Sequence, residues 1–524
     1  MQYRIRQCSR VFKKGLLALL LLVSLPVAGW AAANPSERCS ALLSLKIADG
    51  RIVSATHITA PFQVPPSMSS ESITQLKEKL SAPMAEQMAH GTVRVPFCRV
   101  VGILTPTPSS EINFEAWLPE EGYNGRLVQE GDGGLLGAIP YTLMSKLINR
   151  GFVVMGSDKG HKGDSMDWKW AVGQPEKAID HHYRATHVTT VATKALAAKF
   201  YGSPAHHIYF SGCSGGAVQG YESAMHTPDD FDGIAIGGAA PPANDLHLPS
   251  IAGLPTILAQ SNGLVSEKLQ MISRAAVAAC DEVDGVKDGV ISYPKQCDFD
   301  PGKLACREGG GPNCLTSLEV EGVKRGYALG MSPGTEYYWR FIEKLGANFP
   351  AEAYKYIVLP PPADETLLQS FSAKGHKMIA YIGTVDVSAP GFEKYQEALV
   401  AHFQQGGSSQ EKAEEQVGRF YRAFELPGME HCMGGPGPNN ISASLQPERR
   451  SVGADEDIMA AIVNWVEHGR APDFLVATKY ADDDPAKPRV MTRPICVYPK
   501  LAQWDRNGNP SEYRSFACVN PPGH

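Results

Sequence analysis

Short apolar runs alternate with stretches of helical spacing through the middle of the chain. Phe152-Val153-Val154-Met155 predicts a buried strand, since no polar residue interrupts it. Val188 to Phe200, with Ala192, Ala195, Ala197 and Ala198, predicts a helix. His207 to Phe210 is strand-like again, Ala217 to Met225 helical, and Phe231 to Ile236 a further short strand. The same pattern returns at Lys377 to Ile382. Strands alternating with helices predict βαβ units and a mostly parallel sheet, an α/β fold. Residues 34–120, with the run Ile112 to Leu118, read as a leading antiparallel section. Residues 243–370 break the rhythm. They are rich in Gly and Pro and hold Cys280, Cys297, Cys306 and Cys314. The predicted organisation is a core begun by residues 34–242, an inserted lid at 243–370, and a return to the core over 371–524. No internal repeat is visible.

At 524 residues the chain exceeds the usual single core, which suits one large domain with an insertion. The composition, 43% hydrophobic and 20% charged, is that of an ordinary globular protein. The net charge of -6 and the lack of a basic stripe argue against nucleic acid as a partner. Residues 1–33 read as a cleaved signal peptide. Arg4, Arg6, Arg10, Lys13 and Lys14 precede an apolar run, Leu16 to Val27, and then Ala31-Ala32-Ala33. That run is too short to span a bilayer, and no later segment qualifies, so no membrane association is expected after cleavage. Cys39 lies too far along for a lipoprotein signal. The expected location is secreted or periplasmic.

Removing Cys8 with the signal leaves ten of the 11 cysteines, an even number that implies disulfides in an exported chain. The absence of any C-x-x-C pair argues against structural zinc. Sequence neighbours suggest 280–297, 306–314 and 496–518, although counting alone leaves the connectivity open.

Candidate chemistry centres on Gly212-Cys213-Ser214-Gly215-Gly216. A strand precedes it and a helix follows, the context that lifts a serine hydroxyl clear of a sheet. Ser211 lacks the glycine spacing. A serine nucleophile needs a base, and the base a carboxylate. In this fold class the order is serine, acid, histidine. Asp386, just past the 377–382 strand, and His431, after the strand-like Phe420 to Leu426, satisfy it. His161, His181, His182 and His187 precede the serine, and their spacing suits no metal site; His181 and His182 read as surface or helix residues. Cys213 and Cys432 flank the serine and the histidine, and a bridge between them would hold the two together. Acyl transfer also needs two oxyanion donors. Gly215 supplies one N–H, and Gly133, in the glycine loop after Arg126 to Gln129, suits the second. Within the lid, Asp281, Asp284 and Asp288 form an acidic loop with oxygen ligands suited to a structural Ca²⁺. It is not an EF-hand, because Ser292 stands where that loop needs a glutamate.

Together these residues resemble the tannase and feruloyl esterase family over nearly the whole mature chain. The likeness includes Pro96 to Val100, Ser157-Asp158-Lys159-Gly160-His161, the Gly212 to Gly216 elbow, Asp281 to Val290, Pro427 to Asn439 and Arg493 to Cys496. The resemblance implies an α/β-hydrolase fold with a large lid, five disulfides including 39–98, and a lid calcium held by Asp281, Asp284 and Asp288 with the carbonyls of Val286 and Val290. It also implies hydrolysis of aromatic-acid esters. The chain departs from the usual family pattern at Ala217-Val218-Gln219 and at Tyr381 to Val385; both departures are expected beside the acyl pocket, where they bear on substrate rather than reaction type. The expected activity is a serine carboxylesterase acting on hydroxycinnamate or hydroxybenzoate esters, free or on plant polymers. One alternative is another ester, such as a phthalate-type monoester. A second, of another class, is a non-catalytic calcium-stabilised binder of plant polymers, against which the ordered Ser, Asp and His argue.

Overall fold

The computed structural model describes residues 34–66, 90–241, 266–307, 311–337, 339–340, 353–357, 368–447, 449 and 453–521. Residues 1–33, read above as a signal peptide, and parts of the 243–370 stretch lie outside them. Nine strands pair into one sheet. They are β1 (Gly50–Ile58), β2 (Phe97–Leu104), β3 (Ile112–Pro119), β4 (Arg126–Glu130), β5 (Val153–Ser157), β6 (His207–Cys213), β7 (Gly233–Gly237), β8 (Lys377–Gly383) and β9 (Tyr421–Leu426). Their spatial order is β1-β2-β3-β5-β4-β6-β7-β8-β9. β1, β2 and β3, within the leading section read at 34–120, pair antiparallel, and so does β5 with β3, beyond it. From β5 onward every pairing is parallel.

The apolar runs are explained by cover on both faces. Val128, Val154, Tyr209, Ala235, Ile379 and Phe424 pack into one layer with α1 (Tyr141–Ile148) and α6 (Ile458–His468). Leu127 and Val153, one residue out of phase, face the other layer with α2 (Ala185–Tyr201). That side continues through Phe210, Ile234 and Met378 against α3 (Gly215–His226) and α5 (Ala389–Gln404). A parallel sheet covered on both faces needs apolar residues at every position, not at alternate ones. Burial of each Val, Leu, Ile, Phe or Met among them stabilises by about 1.5–3 kcal/mol.

The chain leaves the sheet after Gly237 and re-enters at Lys377. Between them, α4 (Ser266–Cys280) and a capped helix, Ser317–Ala328, gather a small core of their own. Leu269, Ile272, Phe299, Leu315 and Val323 form it, and Val387 of the main body joins it. Not all of 371–524 returns to the sheet. β10 (Phe474–Tyr480) pairs with β11 (Arg489–Cys496), and β12 (Leu501–Trp504) with β13 (Phe516–Val519), each as a two-stranded antiparallel ribbon, and Thr478 of β10 also bridges Asn440. Five disulfides join Cys39 to Cys98, Cys213 to Cys432, Cys280 to Cys297, Cys306 to Cys314, and Cys496 to Cys518. Among the described residues no helix is long and apolar enough to cross a membrane.

Candidate active site

β6 ends at Cys213 and α3 starts at Gly215, leaving Ser214 alone at the corner with φ 60° and ψ -121°. The corner closes because its neighbours lack side chains. A Cβ on Gly212 would meet the Gly216 carbonyl carbon and oxygen at 2.8 Å. One on Gly215 would meet the Gly134 carbonyl oxygen at 2.2 Å. The Ser214 N–H donates to the Gly237 carbonyl of β7 at 2.8 Å, which pins the turn to the sheet.

Two further loops leave the same sheet edge. β8 and β9 run parallel, with Gly383 opposite Leu426, so the chain beyond each emerges side by side. The first loop carries Asp386, fully buried, and the second His431. The hydrogen bond between His431 Nδ1 and Asp386 Oδ2 is 2.7 Å, and that between His431 Nε2 and Ser214 Oγ is 2.7 Å. Asp386 Oδ1 accepts from the Ser388 N–H at 2.9 Å, which orients the carboxylate. With Nδ1–H donating to Asp386, Nε2 is the acceptor for the serine hydroxyl, the protonation a general base requires. The Cys213–Cys432 bridge ties the residues preceding Ser214 and following His431, with Cα atoms 6.1 Å apart. It packs on Gly238, where a Cβ would lie 2.7 Å from Cys432 Sγ.

Gly131 to Gly134 follow β4 and lie against the elbow; a Cβ on Gly216 would meet the Gly131 carbonyl carbon at 3.0 Å. The structure thus brings Gly133 and Gly215 to the same corner as Ser214. Tyr381, Ala217 and Gln219 are buried. The Tyr381 hydroxyl donates to Cys213 Sγ at 3.3 Å, against the residue that precedes the nucleophile.

The acidic loop is remote from this corner in sequence. Asp281 Oδ1 accepts from the N–H groups of Asp288, Gly289 and Val290 at 3.1, 2.9 and 3.2 Å. Asp284 accepts from Val286 N and Ser292 Oγ, and Asp288 pairs with Arg493. Among the described residues no group of three metal-ligating side chains converges. The donor chemistry is oxygen-rich, of the kind Ca²⁺ takes: three aspartates share the loop, and one guanidinium, Arg493, pairs with Asp288. Burial first, then mutual repulsion, raises the Asp284 and Asp288 carboxyls above the usual range.

Several site-side residues escaped the sequence reading. Glu130, at the end of β4, is buried, and burial pushes its carboxyl up to about 8 against the nearby Lys146 and the Ser444 hydroxyl. Asp132, within the glycine loop, pairs with the buried Lys159. His181 and His182 lie on one π-helical turn, Asp180–Arg184, and are buried, so the surface part of their expected role is overturned. His161 is buried as well and donates to the glycine loop, while His187 pairs with Asp230 at 2.8 Å.

Residues 98–353 and 361–519 match the profile of the family described as tannase and feruloyl esterase. An uncharacterized esterase of Xanthomonas campestris is 30% identical over 574 residues, covering 97% of this chain and 96% of its own. A probable feruloyl esterase B-2 of Aspergillus flavus is 31% identical over 438 residues, 75% of this chain and 82% of that one. Among solved structures, feruloyl esterase B from Aspergillus oryzae superposes with a TM-score of 0.78 at 25% identity, over 93% of this chain and 100% of that one.

Proposed function

The chain belongs to the tannase and feruloyl esterase family and is a carboxylic ester hydrolase of it; on that premise we propose that it is an exported serine esterase of hydroxycinnamate or hydroxybenzoate esters. The observation that carries the proposal is the unbroken chain Ser214–His431–Asp386, with both hydrogen bonds at 2.7 Å. In this reading Ser214 Oγ attacks the ester carbonyl carbon as His431 Nε2 takes its proton. Asp386 holds the imidazole in the tautomer that can accept it and stabilises the imidazolium. The N–H groups of Gly215 and Gly133 receive the charge on the carbonyl oxygen. His431 then hands its proton to the leaving alcohol, and a water deprotonated by the same nitrogen cleaves the acyl-enzyme. Two loops from one sheet edge and a disulfide at the elbow support this reading, because near-attack geometry contributes to rate only if it is held.

A structural Ca²⁺ belongs to the same proposal. The carboxylates of Asp281, Asp284 and Asp288 and the carbonyls of Val286 and Val290 would hold it. It would neutralise the loop's excess negative charge and supply no chemistry to the ester.

The names of the relatives support the aromatic substrate class, and a substrate panel tests it. Purified protein should turn over methyl ferulate or methyl gallate with a higher kcat/KM than a phthalate-type monoester. A preference for the monoester would keep the carboxylesterase and overturn the substrate. No turnover of any ester, with no labelling of Ser214 by a fluorophosphonate, would overturn the enzyme.

A further inference from the structure

Asp158-Lys159-Gly160-His161 stands at the end of β5, and none of the roles above uses it. Asp158, Lys159 and His161 are 5, 3 and 4% exposed. Asp158 Oδ1 accepts from the N–H groups of Asn113 and Gly160 at 2.9 and 3.0 Å, and Oδ2 from Asn113 Nδ2 at 2.7 Å. This carboxylate fixes a turn in which Lys159 and Gly160 both hold positive φ, 57° and 76°. A lysine in that region is strained, and such residues persist only where their surroundings over-determine them.

Here the surroundings are the glycine loop. The turn sends Lys159 Nζ to Asp132, forming a buried ion pair. Removing two charges from water costs several kcal/mol per ion, a cost the packing of the sheet does not require. Burial holds the Asp132 carboxyl up at about 6, opposed chiefly by Lys159 and also by Gln219 of α3. Two residues on, His161 Nε2–H donates to the Leu135 carbonyl at 2.9 Å, and its ring stacks on Trp170 at 3.8 Å. Burial and the Lys159 charge lower this imidazole to about 4, which favours the neutral ring with Nε2–H as donor near pH 7.

Gly133 lies between these two grips. Its carbonyl accepts from Leu136 N at 3.3 Å, and the space where a side chain would stand is open to 4 Å. We propose that Lys159 and His161 are positioning residues that hold the Gly133 amide on the transition-state oxyanion, Lys159 through the Asp132 side chain and His161 through the Leu135 carbonyl. The proposal rests on the reading of Gly133 and Gly215 as oxyanion donors. Neither positioning residue touches the ester, so their effect should fall on kcat and leave KM little changed.

A sulfur probe separates this role from a merely structural one. In a thionoester the developing charge sits on sulfur, a larger and weaker acceptor than the oxygen for which the amides are placed. The full mature chain and its variants are compared on p-nitrophenyl benzoate and p-nitrophenyl thionobenzoate, each rate normalised to hydroxide hydrolysis. The unsubstituted protein should prefer oxygen strongly. Lys159→Met and His161→Phe should lower kcat on the oxygen ester by about tenfold or more, and the oxygen preference should shrink with it. His161→Gln, which keeps an N–H donor, should restore most of both. If Lys159→Met does not fold, Asp132→Asn/Lys159→Met removes both charges and carries the same expectation. An oxygen preference undiminished in the folded variants overturns the positioning role alone. Absence of the preference in the unsubstituted protein overturns the oxyanion reading, and the proposal with it.

Discussion

Ser214 holds a backbone conformation that neither strand nor helix allows, and only the glycines around it and the Gly237 carbonyl make that position tenable. Such strain at a half-buried hydroxyl held against a histidine points to use. Ser214→Ala keeps the Cβ and the turn, so the melting temperature should hold while kcat falls on the order of 10⁶. Asp386→Asn should lose on the order of 10⁴ in kcat, because the amide selects the wrong tautomer of His431. Steady-state assays beside a thermal melt check both, and substantial turnover in either variant would sink the assigned role. Glu130 gives a different prediction. Its folded pKa of about 8 lies above the ordinary carboxylate value. Between pH 4.5 and pH 8 the unfolded chain has released this proton and the folded chain retains it, so stability must fall as pH rises through that window. Glu130→Gln should flatten this part of the stability curve, as urea titrations at several pH values would reveal. An equally steep decline in the variant would assign it to another group. Ser214, Asp386 and His431 were legible because each carries a local sign: glycine flanks, a strand end, a neighbouring cysteine, the order along the chain. Glu130 and Lys159 were not, because their partners Ser444 and Asp132 lie 314 and 27 residues away, and no local pattern announces a pairing at that distance.

Strands were the most legible elements, since cover on both faces forces uninterrupted apolar runs. The run at 377–382 is β8 with one residue added, and the helix read at 188–200 is α2 extended by a few residues at its N-terminal side. Their order was not legible. β5 sits between β3 and β4 because β4 and β5 are parallel and joined through α1, a crossover whose hand is fixed but whose destination is set by packing. The C-terminal ribbons were missed for a related reason: residues of β11 such as Arg489 and Val490 are exposed, so the run carries no uniform apolar signal. Calcium should raise the melting temperature, and at about a hundredfold excess over Kd the gain is about 2.7 kcal/mol if only the folded state binds. Asp281→Asn/Asp284→Asn/Asp288→Asn should abolish the calcium-dependent shift without a kcat effect of similar size. A triple variant that still responds to calcium as fully would place the ion elsewhere.

Five disulfides suit a protein made for an oxidising compartment, and their distribution divides by reach. Cys306–Cys314 spans 8 residues inside the insertion, whereas Cys213–Cys432 spans 219 and joins the part of the sheet before the insertion to the loop after β9. That long bridge is the covalent link between the nucleophile's half of the molecule and the base's half. The chain-entropy argument assigns a crosslink of this span on the order of 5 kcal/mol. A second effect is positional: displacing His431 from Ser214 by about 1 Å can cost on the order of 10² in rate. Cys213→Ala/Cys432→Ala should therefore lower both the melting temperature and kcat, with the loss in kcat persisting at temperatures where the variant is fully folded. Cys306→Ala/Cys314→Ala should lower stability by less and leave kcat on a small ester nearly unchanged. Melts, kinetics well below each melting temperature and non-reducing peptide maps read the two pairs separately. If the long-bridge variant, once folded, retained full kcat, the bridge would be a stabiliser only, and the adjacency of Ser214 and His431 would rest on the β8 and β9 loops alone.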